Sequence, residues 1–152
     1  MMEEKEKAWK TVSSKYLFRR PWLTVRCEDM LLPNGNHIPE YYILEYPDWV
    51  NTIVITKDGK FVFVRQYRPG LGRTSYELCA GVCDKEDASP LVSAQRELWE
   101  ETGYGKGNWQ EYMVISANPS THTNLTHCFL ATDVEPIDHQ HLEDTEDLSV
   151  HL

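Results

Sequence analysis

The 152-residue sequence contains no apolar run near the roughly 18 residues that a membrane-crossing helix needs. Its first ten residues, MMEEKEKAWK, are charged and lack the apolar stretch of a secretory signal. Internal repeats and low-complexity segments are also missing. Together these absences argue against membrane, secreted and solenoid classes and leave a cytoplasmic protein as the expectation. Cysteine is scarce. Cys27, Cys79, Cys83 and Cys128 are too few and too scattered for a disulfide framework. Cys79 and Cys83 lie four apart rather than at the close paired spacing of a structural zinc site, so a Cys79/Cys83/His127/Cys128 centre is disfavoured and buried free thiols are expected.

Positive charge is missing from one stretch altogether. All 15 Lys and Arg residues lie at or before Lys106, where they meet 16 acids; the last 46 residues hold eight acids and no base. The formal net charge of −9 argues against non-specific binding to nucleic acid or anionic membranes. The acidic C-terminal part is either a solvated charge block or a place where carboxylates work beside a metal ion.

The composition that remains is that of an ordinary globular domain, with 41% hydrophobic and 26% charged residues. Residues 22–32 alternate, the Asn-Gly of Pro33-Asn34-Gly35-Asn36 predicts a tight turn, and 37–46 reads as the returning strand. Residues 50–56 and 60–68 flank Lys57-Asp58-Gly59 as a second hairpin. Further strands are expected at 75–80, 111–117, 125–134 and 146–152. Only 90–102 breaks the pattern. Ser89 suits an N-cap, Pro90 the first helical position, Leu91, Ala94 and Leu98 form an apolar stripe, and Gly103 suits a left-handed stop. The class is therefore α+β, a mostly antiparallel sheet with one helix. The sequence stops at His151-Leu152 inside an alternating stretch, so a following element, such as a C-terminal helix, is expected to be missing.

The helix carries the chemistry. Glu97, Glu100 and Glu101 fall at i, i+3 and i+4, within an arc of roughly 100°. Like charges so placed weaken a helix by a few tenths of a kcal/mol per pair, and Arg96 is the only base on the segment. Three convergent carboxylates suit a hard cation such as Mg²⁺ or Mn²⁺.

The stretch from Gly81 to Tyr104, with Arg96-Glu97-Leu98-Trp99-Glu100-Glu101-Thr102-Gly103-Tyr104 as its second half, resembles the Nudix box, G-x5-E-x7-R-E-U-x-E-E-x-G-U with U apolar. From Arg96 onward every specified position matches. The first half has 14 residues between Gly81 and Arg96 against 13 in the pattern, so the bracing Glu of the family falls on Glu86 or Asp87. VRQYR at 64–68 and Glu77-Leu78-Cys79-Ala80-Gly81 are similar to the lead-in of the ADP-ribose pyrophosphatase branch. The resemblance implies a Nudix-like mixed/antiparallel sheet sandwich over 48–152, preceded over 1–47 by a small antiparallel sheet that dimerises. It implies Mg²⁺ or Mn²⁺ held by Glu97, Glu100, Glu101 and the Ala80 carbonyl. It implies a general base on the loop before the last strand, where Glu146 is the first choice and Asp144 and Glu143 follow. Arg68, Arg65, Glu77 and Trp22 are the implied substrate contacts. Core or strand roles compete for each of them, as they do for His122 and His127. The implied activity is hydrolysis of a nucleoside diphosphate linked to X, such as ADP-ribose, by a homodimer. GDP-mannose, dinucleoside polyphosphates and oxidised nucleoside triphosphates are alternative substrates, and a non-catalytic nucleotide sensor is the alternative class.

Overall fold

The computed structural model describes residues 7–152. The first strand, β1 (Lys10–Arg20), was not anticipated, because all of its residues are exposed and no burial pattern marks the sequence. It pairs antiparallel with β2 (Leu23–Leu31), which pairs antiparallel with β3 (His37–Glu45). The β2–β3 turn closes at Asn34-Gly35 as the sequence predicts. Gly35 adopts φ 87° and its N–H donates to Leu32 O at 2.9 Å. This three-stranded sheet forms one compact unit, which runs to Tyr46 and also takes in Ala117–Asn124. That later segment is held by the Leu44 N–H to Thr121 O (2.8 Å) and the Thr123 N–H to Leu44 O (3.1 Å).

The second unit comprises Pro47–Ser116 and Leu125–Leu152. Its first strand, β4 (Trp49–Thr56), buries every second residue: Val50, Thr52, Val54 and Thr56. The Lys57-Asp58-Gly59 turn forms, with Gly59 at φ 78°. The strands it joins do not stay together as the expected hairpin. After the Ile55–Phe61 bridge they splay, and β5 (Phe63–Arg68) enters a different sheet. Val54, Val62 and Val64 are all fully buried in one cluster, so the splay lets both strands face a common core. The expected strand at 75–80 likewise divides in two. β6 (Arg73–Glu77) pairs with β5, and β7 (Cys79–Val82) pairs with β4, so this segment crosses from one sheet to the other.

The helix α1 (Pro90–Thr102) forms as predicted. The Ser89 side chain accepts from the Val92 N–H, and Gly103 caps the end at φ 72°. Leu91 departs from the expected stripe: at 36% exposed it lines an open cleft with Trp109 and Phe129, and Ser93 is buried in the same turn instead. The short β8 (Tyr104–Gly105) and β9 (Asn108–Ile115) pair antiparallel with β10 (Thr126–Pro136), which runs parallel to β4. The last strand, β11 (Leu148–His151), pairs antiparallel with β5. The fold is α+β and Nudix-like, with a mixed sheet β7-β4-β10-β8, joined at β10 by β9, and a second sheet β11-β5-β6. Leu98 from α1 fills the space among Val54, Val64, Ala131, Val134 and Leu148, and so anchors the helix from within. The four thiols are free, with Cys27, Cys79 and Cys128 buried and Cys83 half-buried. Among the described residues, no helix is long and apolar enough to cross a membrane.

A candidate metal and phosphate site on the helix

The three glutamates of α1 are not equivalent. Glu101 lies three residues after Leu98 and seven after Ala94, on the buried stripe itself, and is only 5% exposed. Its carboxylate accepts from the Ala80 N–H at 3.3 Å. Burial, and then the neighbouring Glu97, push its pKa up from 4.5 to about 8. Glu97 is pushed up to about 7, again chiefly by burial, although Arg96 pulls the other way. Glu100 is the most exposed of the three side chains where it meets Arg96.

Arg96 is the local counter-charge. It donates to Glu97 at 3.0 Å, Glu100 at 2.9 Å, Asp87 at 3.1 Å and the Val82 carbonyl at 3.0 Å, and Asp84 lies 3.3 Å away. Of the two residues that could match the family's bracing Glu, Asp87 is the one that pairs with Arg96, and Glu86 stays exposed. Gly81 is needed for close approach. A Cβ there would sit 2.0 Å from Glu97 Cδ, so only glycine lets that carboxylate lie against β7. Neither Asp84 nor this use of Gly81 was read from the sequence. The box spacing does mark Gly81, but not what it makes room for.

Glu146 lies in the loop before β11, close enough that its charge raises both Glu97 and Glu101. Its carboxylate accepts from the Glu143 N–H at 2.9 Å, which folds the loop back on itself. Arg68 and Glu77 come together across β5 and β6. Arg68 Nε and Nη2 donate to Glu77 at 3.0 and 2.7 Å, and Glu101 contributes to the field that stabilises the guanidinium. Arg73 stands opposite Arg68 in register and gives that edge a second cation that was not anticipated.

Arg65 is not brought to this cluster. Strand alternation turns Arg65 to the other face of β5, where its guanidinium lies over Tyr76 at 5.8 Å. Trp22 belongs to the first unit, in the turn between β1 and β2, and is 72% exposed. His127 bonds Glu111 across β9 and β10 at 2.8 Å, and His122 packs on Tyr46 with ring centroids 5.3 Å apart.

The donor set of the cluster is all oxygen. Arg96 serves Glu97 and Glu100, whereas Glu101 has one backbone N–H and a raised pKa. Such a set is short of positive charge and fits a hard divalent ion.

Residues 9–44 match the nucleoside diphosphate sugar hydrolase N-terminal domain, and residues 46–151 match the NUDIX domain. The ADP-ribose pyrophosphatase of Bacillus subtilis is 31% identical over 85% of this chain and 69% of its own length. The methanol dehydrogenase activator of Bacillus methanolicus is 32% identical over 80% of this chain and 65% of its own length. The crystal structure of an ADP compounds hydrolase superposes with a TM-score of 0.81, covering 94% of this chain and 76% of that one at 23% identity, which speaks for the fold alone. With a matching family model over most of its length and the box acids gathered on α1, the chain belongs to the Nudix family and carries the N-terminal domain of nucleoside diphosphate sugar hydrolases.

Proposed function

We propose that this chain hydrolyses the diphosphate of a nucleoside diphosphate sugar, with ADP-ribose the leading candidate, and releases a nucleoside monophosphate. The observation that carries the reading is the pair of buried carboxylates Glu97 and Glu101, raised to about 7 and 8 chiefly by burial. Glu97, Glu100 and Glu101, with the Ala80 carbonyl, would hold Mg²⁺ or Mn²⁺. When bound, that ion supplies the positive charge that offsets both the carboxylates and a polyanionic pyrophosphate, and it acidifies water.

The other steps belong to the chain's own side chains. Glu146, exposed at the cluster's edge, takes the proton of the attacking water. Arg68 places its guanidinium on a phosphate oxygen. Glu77 holds Nε and Nη2, so Nη1, which has no protein partner among the described residues, is the arm that reaches out. Glu77 thus acts by orienting Arg68. The first unit is proposed as the dimerisation element. It leaves Val12, Tyr16, Phe18 and Trp22 between 46% and 72% exposed, an apolar surface that a second copy would cover. Light scattering that reports a monomer at assay concentrations would remove the dimer from the proposal.

The activity is tested with purified protein on ADP-ribose, GDP-mannose, a dinucleoside polyphosphate and an oxidised nucleoside triphosphate. AMP and ribose 5-phosphate should appear from ADP-ribose only with Mg²⁺ or Mn²⁺, and EDTA should stop the release. Tight nucleotide binding without turnover of any of the four would make the chain a sensor instead.

A further inference from the structure

A second set of ligating side chains lies outside the box. Asp138, His139 and His141 fall in the segment between β10 and β11, and one ligand atom from each lies within 4.8 Å of the others. The Asp138 carboxylate sits between the two imidazoles. Oδ1 is 2.7 Å from His139 Nδ1, and Oδ2 is 2.9 Å from His141 Nε2.

The arrangement is held by the fold. The Ile137 and Asp138 N–H groups donate to the Gly103 carbonyl at 2.9 and 3.1 Å. The His141 N–H donates to the Glu100 carbonyl at 2.8 Å, and Gln140 Nε2 donates to the Glu101 carbonyl at 2.7 Å. The segment thereby satisfies carbonyls that the end of α1 would otherwise leave unpaired, and its backbone cannot drift without exposing them. The His141 ring is fixed as well, stacked on Trp99 with centroids 4.0 Å apart and planes 26° apart. Two of the three ligands are therefore positioned before any ion arrives. His139, 79% exposed at its side chain, completes the set from the solvent side, with its ring 4.3 Å from that of His141.

We propose that Asp138, His139 and His141 form a second metal site that takes a borderline transition ion, Zn²⁺ or Cu²⁺, in preference to Mg²⁺. Two imidazoles and one carboxylate are the donor set that such ions favour, whereas the all-oxygen cluster on α1 suits a hard ion. Zn–N and Zn–O bonds of about 2.0–2.2 Å put ligand atoms roughly 3 Å apart, close to the spacing that the two Asp138–His pairs already have. Binding replaces the N–H protons now shared with Asp138, and solvent supplies the remaining coordination position. The site lies at the C-terminal cap of the helix that carries Glu100 and Glu101, so an ion there would clamp that cap.

The test reads binding, so it does not depend on whether the chain hydrolyses ADP-ribose. Cu²⁺ is titrated into the full chain with Mg²⁺ in large excess, and tryptophan fluorescence is followed. Zn²⁺ binding is measured in parallel against a chromophoric chelator. A saturable quench at one Cu²⁺ per chain, reversed by Zn²⁺ and unaffected by Mg²⁺, is the expected result. His139→Ala removes an exposed ring and leaves the Trp99 stack intact, so it tests the site without disturbing the helix end. It should weaken Zn²⁺ by more than the roughly 10–100-fold that loss of an outer-shell partner costs. Trp99→Phe should abolish the saturable quench while keeping Zn²⁺ binding. Unchanged Zn²⁺ affinity in both His139→Ala and His141→Ala would overturn the proposal. So would a wild-type quench in Trp99→Phe, or displacement of Zn²⁺ by millimolar Mg²⁺.

Discussion

Replacing Glu101 by Gln should lower activity and raise the stability of the metal-free protein. The amide keeps the shape of the side chain and can still accept the Ala80 N–H, but it removes an ionisable group from a site only 5% exposed. The folded pKa of Glu101, about 8, lies above the ordinary value of 4.5. Between those values the folded chain keeps a proton that the unfolded chain releases. The stability of the metal-free protein therefore falls as pH rises from about 4.5 to about 8 and levels off above that. At 1.36 kcal/mol per pH unit, the span from 4.5 to about 8 sets a ceiling of about 5 kcal/mol. The buried amide still needs hydrogen bonds of its own, which leaves a net gain of about 2–3 kcal/mol at pH 8.5. For a domain of this size that is a rise in Tm of roughly 5–10 °C. Thermal melts in EDTA at pH 5 and pH 8.5 read the effect directly: the two proteins should nearly coincide at pH 5 and separate at pH 8.5. Added Mg²⁺ should then raise the wild-type Tm at pH 8.5 by mass action and hardly move the variant. Turnover should drop by about 10²-fold or more, the scale of losing a major electrostatic contributor. If Glu101→Gln melts below wild type at pH 8.5 in EDTA, or shows the same pH slope, burial is not what raises this carboxylate and the reasoning fails.

Glu146→Gln should cost about 10²-fold in kcat with the Mg²⁺ requirement unchanged, as loss of a general base does; an unchanged rate would move that role to Asp144 or Glu143. Gly81→Ala should displace the Glu97 carboxylate, which lies 2.0–2.3 Å from the position of the new Cβ. The carboxylate is the far end of a flexible side chain, so Tm should barely change while activity falls by about 10²-fold; full activity in this variant would mean that Glu97 need not lie against β7. Arg96→Met leaves Asp87, Glu97 and Glu100 without their shared cation. It should cost about 2–3 kcal/mol, visible as a lower denaturation midpoint in urea, and a wild-type midpoint would show that the ion pairs contribute nothing net.

The parts of the fold that could be read from the sequence are those whose cause is local. The helix carries its own cap and stop in Ser89, Pro90 and Gly103, and the β2–β3 turn needs the positive φ that Gly35 supplies. The parts that could not be read depend on distant partners. β1 has no buried face within its own unit, so KTVSSKYLFRR carries no alternation to find. The segment from Arg73 to Val82 looks continuous, but it divides at Leu78 because its two halves pair with different strands, β5 and β4. Pairing choice of this kind is a property of the assembled sheets and leaves no mark on a single strand.

The site divides along the same line. That three acids share one helical face follows from the rise and turn of the helix, but how they differ depends on what that face meets. Ala94 and Leu98 point into the core, and Glu101 continues their line, so it is driven into a place where a carboxylate is costly. Arg96 reaches Glu97 beside it and Glu100 one turn on, but not Glu101. One cation therefore neutralises the outer acids and leaves the inner one to seek its charge elsewhere. A solvated acidic face would have no reason to bury one member and pair the others. A helix that receives the proposed Mg²⁺ or Mn²⁺ would, because the least neutralised carboxylate has most to gain from the ion.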